Sequence, residues 1–223
     1  MKELQKAFSR AKTALIASHI DPDGDSIGSM LCLGMLLEKL GIKCDFYSQD
    51  GVPRIYKFLH CSQKVKNYVL ANKHYDILVT LDSSDLKRIG NKVQPKKIAN
   101  KIINIDHHPD NTKYGDVNFV EASSSTAEIL FKIAKDLKIE IDKFMAEALY
   151  VALVTDTGNF RYENTSEKTF LMAAELIQAG IKTHDITTKI YDTKKVSSIL
   201  LFSAVLSTLE TSENKKVAWA VVS

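Results

Sequence analysis

Apolar positions along this chain fall into short unbroken runs and longer helical stripes, and the two kinds alternate. Thr13 to Ser18, Ile42 to Tyr47, Asp76 to Leu81 and Lys101 to Ile105 are runs of five or six residues, short and apolar enough to predict strands buried on both faces. Residues 3–11 suggest a short helix. Ser26 to Leu40 carries Ile27, Met30, Leu31, Leu33, Met35, Leu36, Leu37 and Leu40, a broad apolar helix that Gly41 closes. Pro53 to Ala71 reads as loop with short helical pieces, residues 86–100 as irregular to helical, and Gly115 to Val120 as a strand or an extended loop. Ser125-Thr126-Ala127-Glu128 has capping-box form and opens a helix running through Leu137. Three further helices are expected over Phe144–Val154, Asn164–Ala179 and Thr183–Tyr191, then a connecting helix over Val196–Leu209, while Lys216 to Val222 alternates like a strand. Short strands separated by helical stretches predict an α/β fold, a parallel doubly wound, Rossmann-like sheet flanked by helices.

Acids and histidines gather where these strands end. The first strand runs into His19-Ile20-Asp21-Pro22-Asp23-Gly24-Asp25, the third into Asp82, and the fourth into Asp106-His107-His108; the helix over 144–154 runs into Thr155-Asp156-Thr157-Gly158. Open α/β sheets bind ligands beyond the carboxyl ends of their strands. Three carboxylates and an imidazole within seven residues repel one another unless cations sit among them. A single Asp at a strand end is more often a cap or turn residue than a ligand, and His-His alone is more often surface. The joint occurrence at three strand ends reverses those odds. Oxygen and imidazole donors without thiolates suit Mn²⁺ or Mg²⁺ better than structural zinc. The carboxylates of Asp23, Asp25, Asp82 and Asp156 carry charge matching two divalent ions, which would clamp a phosphate and turn a water between them into a hydroxide nucleophile.

Composition narrows the partners. Thirty Lys and Arg against 27 Asp and Glu give a net charge of +3, and the lysines are scattered as pairs such as Lys96-Lys97 and Lys215-Lys216, so no stripe for duplex DNA is expected. With 45% hydrophobic and 26% charged residues the chain has the composition of an ordinary globular protein. No apolar run approaches the roughly 20 residues of a membrane span, and Met1 to Lys6 lacks the apolar segment of a signal peptide. Cys32, Cys44 and Cys61 form no close pair, which fits thiols in a reducing cytoplasm.

His19 through Ser29, then Asp82, then Asp106-His107-His108, then Thr155-Asp156-Thr157-Gly158 closely resemble the four ordered motifs of the DHH phosphoesterase family. Pro22-Asp23-Gly24-Asp25 with Gly28-Ser29, and Asp156-Thr157-Gly158-Asn159-Phe160-Arg161, are most similar to its bifunctional oligoribonuclease and pAp phosphatase branch. The resemblance spans about residues 13–190. It implies two Mn²⁺ ions, with Mg²⁺ or Co²⁺ as substitutes: one held by His19, Asp23 and Asp82, the other by Asp25, Asp82, His107 and Asp156, so that Asp82 bridges both. It implies that Asp106 orients the neighbouring histidine and that His108 faces the substrate phosphate or the leaving oxygen. Arg161, just after the fourth motif, could reach a phosphate or stack on a base. Asp21 falls outside the ligand spacing. Ser124, Ser125 and Thr126 could donate to a phosphate at a helix start, and helix capping explains them equally well.

The resemblance also implies a smaller second domain after a connecting helix, with a Gly-Gly-Gly-His segment that helps bind substrate. The nine glycines here never cluster. The expectation is a catalytic domain over 1–190 followed, over 191–223, by the connecting helix and first strand of a truncated substrate-binding domain. The expected activity is hydrolysis of short single-stranded RNA to 5′-mononucleotides, extending to pAp, with no membrane partner and with homodimer formation left open. The alternatives are a manganese inorganic pyrophosphatase or polyphosphatase, and a nucleotide-binding module that keeps the metal cage without turnover. A cyclic-dinucleotide phosphodiesterase shares the motifs, but the membrane and sensor segments of one common type are not found.

Overall fold

The computed structural model of the chain describes residues 1–69 and 73–222. It divides into two units, Met1–Ile186 and Thr187–Ser223. The first begins with α1 (Lys2–Arg10), β1 (Thr13–Ala17), α2 (Gly24–Lys39), β2 (Lys43–Tyr47), β3 (Val65–Lys66) and β4 (Tyr75–Leu81). It continues with α3 (Pro95–Ile98), β5 (Ala99–Asp106), β6 (Val117–Val120), α4 (Thr126–Asp136), α5 (Lys143–Asp156), α6 (Glu167–Gln178) and α7 (Thr183–Thr187). The six strands form one sheet in the order β3-β2-β1-β4-β5-β6, every pair parallel. This is the doubly wound arrangement that the alternation of strand and helix patterns predicts. In the second unit, α8 (Val196–Leu206) precedes an antiparallel pair of two-residue strands, β7 (Glu210–Thr211) and β8 (Ala218–Trp219).

The pleat sends alternate residues of the central strands to opposite faces. Leu15, Ala17, Tyr47, Leu78 and Ile102 pack with Ile89, Val93 and Ala99 on one face. On the other, α2 is apolar nearly all round because it lies between sheet and helix: Gly34 backs onto Phe46 and Ile16, and Gly28 backs onto α5. A Cβ on Gly28 would stand 2.3 Å from the Ala148 carbonyl and 3.0 Å from the Ala152 methyl. Gly28→Ala should therefore force the two helices apart and destabilise the fold by about 1–3 kcal/mol, read as a lowered Tm; an unchanged Tm would contradict the close approach.

Several sequence expectations shift. The stretch expected as loop over 53–71 holds two 3₁₀ turns, at 54–56 and 62–64, and the edge strand β3; residues 70 and 71 lie outside the described residues. The open reading of 115–120 resolves as a strand, β6. The helix expected over 183–191 is α7 followed by a π turn at 188–192, and the strand expected over 216–222 contracts to β8. The capping box at α4 is half made: Ser125 accepts from the Glu128 amide, but the Glu128 carboxylate takes the Ser123 hydroxyl, the Ser124 amide and the Thr169 hydroxyl. Among the described residues no helix is long and apolar enough to cross a membrane.

Candidate metal centre

In this strand order β1 and β4 are neighbours while the chain winds outward from them in both directions, and the crevice of such a sheet opens beyond their carboxyl ends. His19 lies just past β1, Asp82 just past β4, and Asp106 ends β5 with His107 and His108 after it. Asp23 caps α2, its Oδ1 accepting the Ser26 amide at 2.9 Å, with Asp25 in the first turn; Asp156 is the last residue of α5. Asp23 is thus both the ordinary helix cap and a member of the cluster.

Asp82 stands in the middle. Its Oδ2 is 3.5 Å from His19 Nε2, and its Oδ1 is 3.4 Å from His107 Nε2 and 3.6 Å from His108 Nδ1. His107 Nε2 is also 3.3 Å from Asp156 Oδ2 and 3.9 Å from Asp25 Oδ2, while His19 Nε2 is 3.9 Å from Asp23 Oδ1. These separations are longer than hydrogen bonds. They match instead the roughly 3–4 Å between neighbouring donors around a cation bound at about 2.0–2.2 Å. Both imidazoles use Nδ1 on a backbone carbonyl, His19 on Ile20 at 2.6 Å and His107 on Ser123 at 3.1 Å. With the proton on Nδ1, the Nε2 lone pair faces the carboxylates, the tautomer a metal requires. Among the described residues, the donors that could hold cations fall into three overlapping groups, His19–Asp23–Asp82, Asp25–His107–Asp156 and Asp82–His107–His108, with the atoms of each within 4.8 Å of one another.

The surroundings hold these carboxylates in place. Asp25 is fully buried, and the amino end of α4 clamps it: Thr126 and Ala127 donate their amides to Oδ2 and Oδ1 at 2.7 and 3.1 Å, and the Ser29 hydroxyl adds a bond at 3.0 Å. Unsatisfied amides at a helix start favour a negative charge. The Thr126 hydroxyl donates to Asp82 Oδ1 at 3.2 Å. Asp82 itself has φ +54°, a left-handed conformation at the strand end that aspartate tolerates better than most residues. Asp106 bonds His108 Nδ1 at 2.8 Å, and Asn111 donates to its other oxygen at 2.5 Å.

Burial and crowding set the charges. Burial opposes the charged form of His19, yet the nearby carboxylates of Asp23 and Asp82 and the bond to the Ile20 carbonyl carry its pKa up to about 10. Burial likewise opposes His107, but Asp82, Asp25 and Asp156 carry it to about 10. Burial and then the charges of Asp82 and Asp156 push the Asp25 carboxyl well above the usual range. For Asp156, burial is again the largest cause and lifts the pKa to about 6. Burial also opposes the charge of Asp82, but the two histidines outweigh it and hold its carboxyl below the usual range. Without cations, protons on the imidazoles supply the positive charge that the acids need.

A pH dependence follows. The folded-state values of His19 and His107 lie above the ordinary 6.5, so their contribution to stability is complete below 6.5 and is lost as the pH climbs through about 10. In the presence of a chelator, Tm should fall steadily across that window, and fall less in His19→Gln. A flat profile would contradict the charge arrangement.

The structure brings His19, Asp23, Asp25, Asp82, His107, His108 and Asp156 together, with Asp106 directly behind. One expectation needs correction: the imidazole that Asp106 holds is His108, whereas His107 is oriented by the Ser123 carbonyl, because the chain turns between the two histidines. Arg161 is exposed in the turn after α5, its Nε donating to the Gly158 carbonyl at 2.7 Å, and among the described residues no hydrogen bond or ion pair joins it to the cluster. Asp21 stays outside, exposed, with its amide on Asp50 Oδ2. Sequence reasoning missed Ser123, Asn111 and Asn164, whose side-chain amide bonds the Ser124 and Asp156 carbonyls at 3.0 Å each. Of the Ser124-Ser125-Thr126 segment it had the helix start, but not that this start grips Asp25.

Comparison with known proteins gives a consistent set of likenesses. The sequence profile of the DHH family, N-terminal domain, matches residues 13–153. The bifunctional oligoribonuclease and PAP phosphatase NrnA of Thermus thermophilus is 33% identical over 195 residues, covering 87% of this chain and 58% of its own length. The protein of the same name from Bacillus subtilis is 28% identical over 216 residues, covering 95% of this chain and 67% of its own. This chain therefore spans little more than half the length of the Thermus relative. Among solved structures, an exopolyphosphatase-related protein from Bacteroides fragilis superposes with a TM-score of 0.92 at 28% identity, covering 99% of this chain and 68% of that one. A putative family II inorganic pyrophosphatase from Methanococcus jannaschii, with a TM-score of 0.54 at 23% identity over 79% of this chain and 61% of that one, shares the fold.

Proposed function

Because this chain belongs to the DHH family, we propose that it is a metal-dependent phosphoesterase that hydrolyses short single-stranded RNA to 5′-mononucleotides and also dephosphorylates pAp. The observation that carries the reading is the pair of imidazole Nε2 atoms facing Asp23, Asp25, Asp82 and Asp156 at donor-to-donor spacing, each ring fixed through its other nitrogen. The names of the Thermus and Bacillus relatives support the substrate class.

His19, Asp23 and Asp82 would hold one divalent cation and Asp25, Asp82, His107 and Asp156 a second, with Mn²⁺ the ion best suited to mixed oxygen and imidazole donors. When bound, the cations supply charge against the phosphate oxygens and acidity to an attacking water. The chain's own groups do the rest. Asp82 faces both histidines and balances charge on the two sides of the site. His108 is held through Nδ1 by Asp106, whose bond and charge raise its pKa and favour the protonated ring; it delivers a proton from Nε2 to the departing oxygen. Arg161, pinned at Nε, offers its terminal nitrogens to a phosphate. Residues 1–190 would form the catalytic domain, and 191–223, which hold α8 and the β7–β8 pair, the connecting helix and the start of a substrate-binding domain. The protein works in the reducing cytoplasm, where Cys32, Cys44 and Cys61 remain thiols.

The test supplies Mn²⁺ with a triribonucleotide, pAp or pyrophosphate. Release of 5′-mononucleotides and of phosphate from pAp is expected. Rapid pyrophosphate turnover beside an inert oligonucleotide would replace the reading with a pyrophosphatase, and tight oligonucleotide binding without turnover would replace it with a binding module.

A further inference from the structure

The segment after β2 takes no part in the site described above, yet it opens onto the same edge of the sheet. A cavity of about 490 Å³ lies there, lined among others by Asp50, Lys57, Ser62, Gln63, Lys66 and Asn67. Asp50 follows the carboxyl end of β2, and Lys66 ends β3. Because every strand is parallel, these ends share the rim that carries His19, Asp82 and Asp106. In the order β3-β2-β1 the cavity stands one to two strand spacings from the end of β1, or about 5–10 Å. That offset is comparable with one nucleotide step along an extended strand.

The lining is poised for an anion. The one acid, Asp50, already accepts the Asp21 amide at 2.9 Å, which ties the cavity wall to the loop bearing Asp23 and Asp25 and holds Asp21 at a left-handed φ of +51°. Neither Lys57 nor Lys66 has a carboxylate partner among the described residues, so neither ammonium group is neutralised by an ion pair at the cavity. The Ser62 hydroxyl bonds the Lys57 carbonyl at 2.8 Å and the Ser48 amide bonds the Lys66 carbonyl at 3.0 Å, fixing the backbone from which both ammonium groups project.

We infer that this cavity is a second phosphate-binding subsite, in which Lys57 and Lys66 take the phosphate of the nucleotide next to the one at the acidic cluster. The inference rests on the phosphoesterase reading for the position of the ester to be cut. Gln63 and Asn67 line the same cavity, and their side-chain amides would serve the sugar or base that accompanies that phosphate. Such a subsite favours substrates that carry a second phosphate one nucleotide step from the ester to be cut.

The test measures binding of a fluorescently labelled, 5′-phosphorylated triribonucleotide to the full chain with Mn²⁺ over a series of salt concentrations. The double variant Lys57→Gln/Lys66→Gln should bind about tenfold more weakly. The slope of log affinity against log salt should shrink by about 0.7 for each lysine removed, the value for single strands. Lys6→Gln on α1 should leave both quantities unchanged. Wild-type affinity and slope in the double variant would overturn the subsite. Turnover measured in parallel separates the two readings. Lysine-dependent binding without cleavage keeps the subsite and removes the hydrolase, whereas cleavage with an unaltered KM in the double variant removes the subsite alone.

Discussion

Asp82→Ala is expected to reduce metal-dependent phosphoester hydrolysis by at least about 10³-fold, corresponding to about 4 kcal/mol of transition-state stabilisation. The size follows from its position. One oxygen faces His19 and the other faces His107, so removing the carboxylate strips a donor from both halves of the cluster at once. Alanine is poorly suited to the left-handed backbone at this position, where φ is +54°, and misfolding could mimic a catalytic defect. Asp82→Asn removes that ambiguity: asparagine tolerates the same φ and still accepts from the Thr126 hydroxyl, which bonds Asp82 Oδ1 at 3.2 Å. It should fold with nearly the parent Tm and lose activity on the same scale. Turnover with Mn²⁺ near the wild-type rate in either variant would contradict the assignment.

Asp156→Asn should move activity and stability in opposite directions. Hydrolysis should fall about 10²-fold, because one donor of a shared set is lost. Stability of the metal-free chain should rise. Burial lifts the Asp156 pKa from 3.8 to about 6, so the folded chain holds this proton more tightly than the unfolded chain does. The stabilisation is complete below 3.8 and is lost as the pH rises through 6, and at pH 7 the ionised carboxylate is a net cost to the fold. Its side chain is 26% exposed, and after discounting for solvent the cost is about 1 kcal/mol, or about 2–4 °C in Tm for a chain of this size. Thermal unfolding with a chelator should show the variant more stable at pH 7 and no more stable than the parent at pH 3.5. A variant less stable at pH 7 would contradict the crowding of charge at the cluster, which a catalytic site tolerates for its chemistry.

Much of this was legible in the chain because the signals were local. Each central strand is a compact apolar run that ends on an acid or a histidine, and a parallel sheet converts those ends into one rim. Ser125 announces the start of α4 by short-range capping, whereas the same signal at Asp23 and Asp142 went unread. What stayed hidden depends on contacts across long stretches of chain. The grip of Thr126 and Ala127 on Asp25 joins residues 101 and 102 positions apart. The choice of His108 over His107 as the partner of Asp106 depends on where the backbone turns after β5, and alternation along the strand does not carry that information. The consecutive left-handed residues Gly158, Asn159 and Phe160 follow Asp156 closely; the glycine and, more weakly, the asparagine signal such a conformation, and the phenylalanine does not. Lys57 and Lys66 read in sequence as scattered surface charge. Their common cavity arises because the short strand β3 pairs with the end of β2.

The central claim is that His19, Asp23, Asp25, Asp82, His107 and Asp156 together bind divalent cations. Anomalous diffraction from crystals soaked in Mn²⁺ tests it most directly. The account predicts two manganese peaks within this cluster, on either side of the Asp82 carboxylate, and their loss in Asp82→Ala. A map at saturating Mn²⁺ with no peak among these six side chains would contradict it.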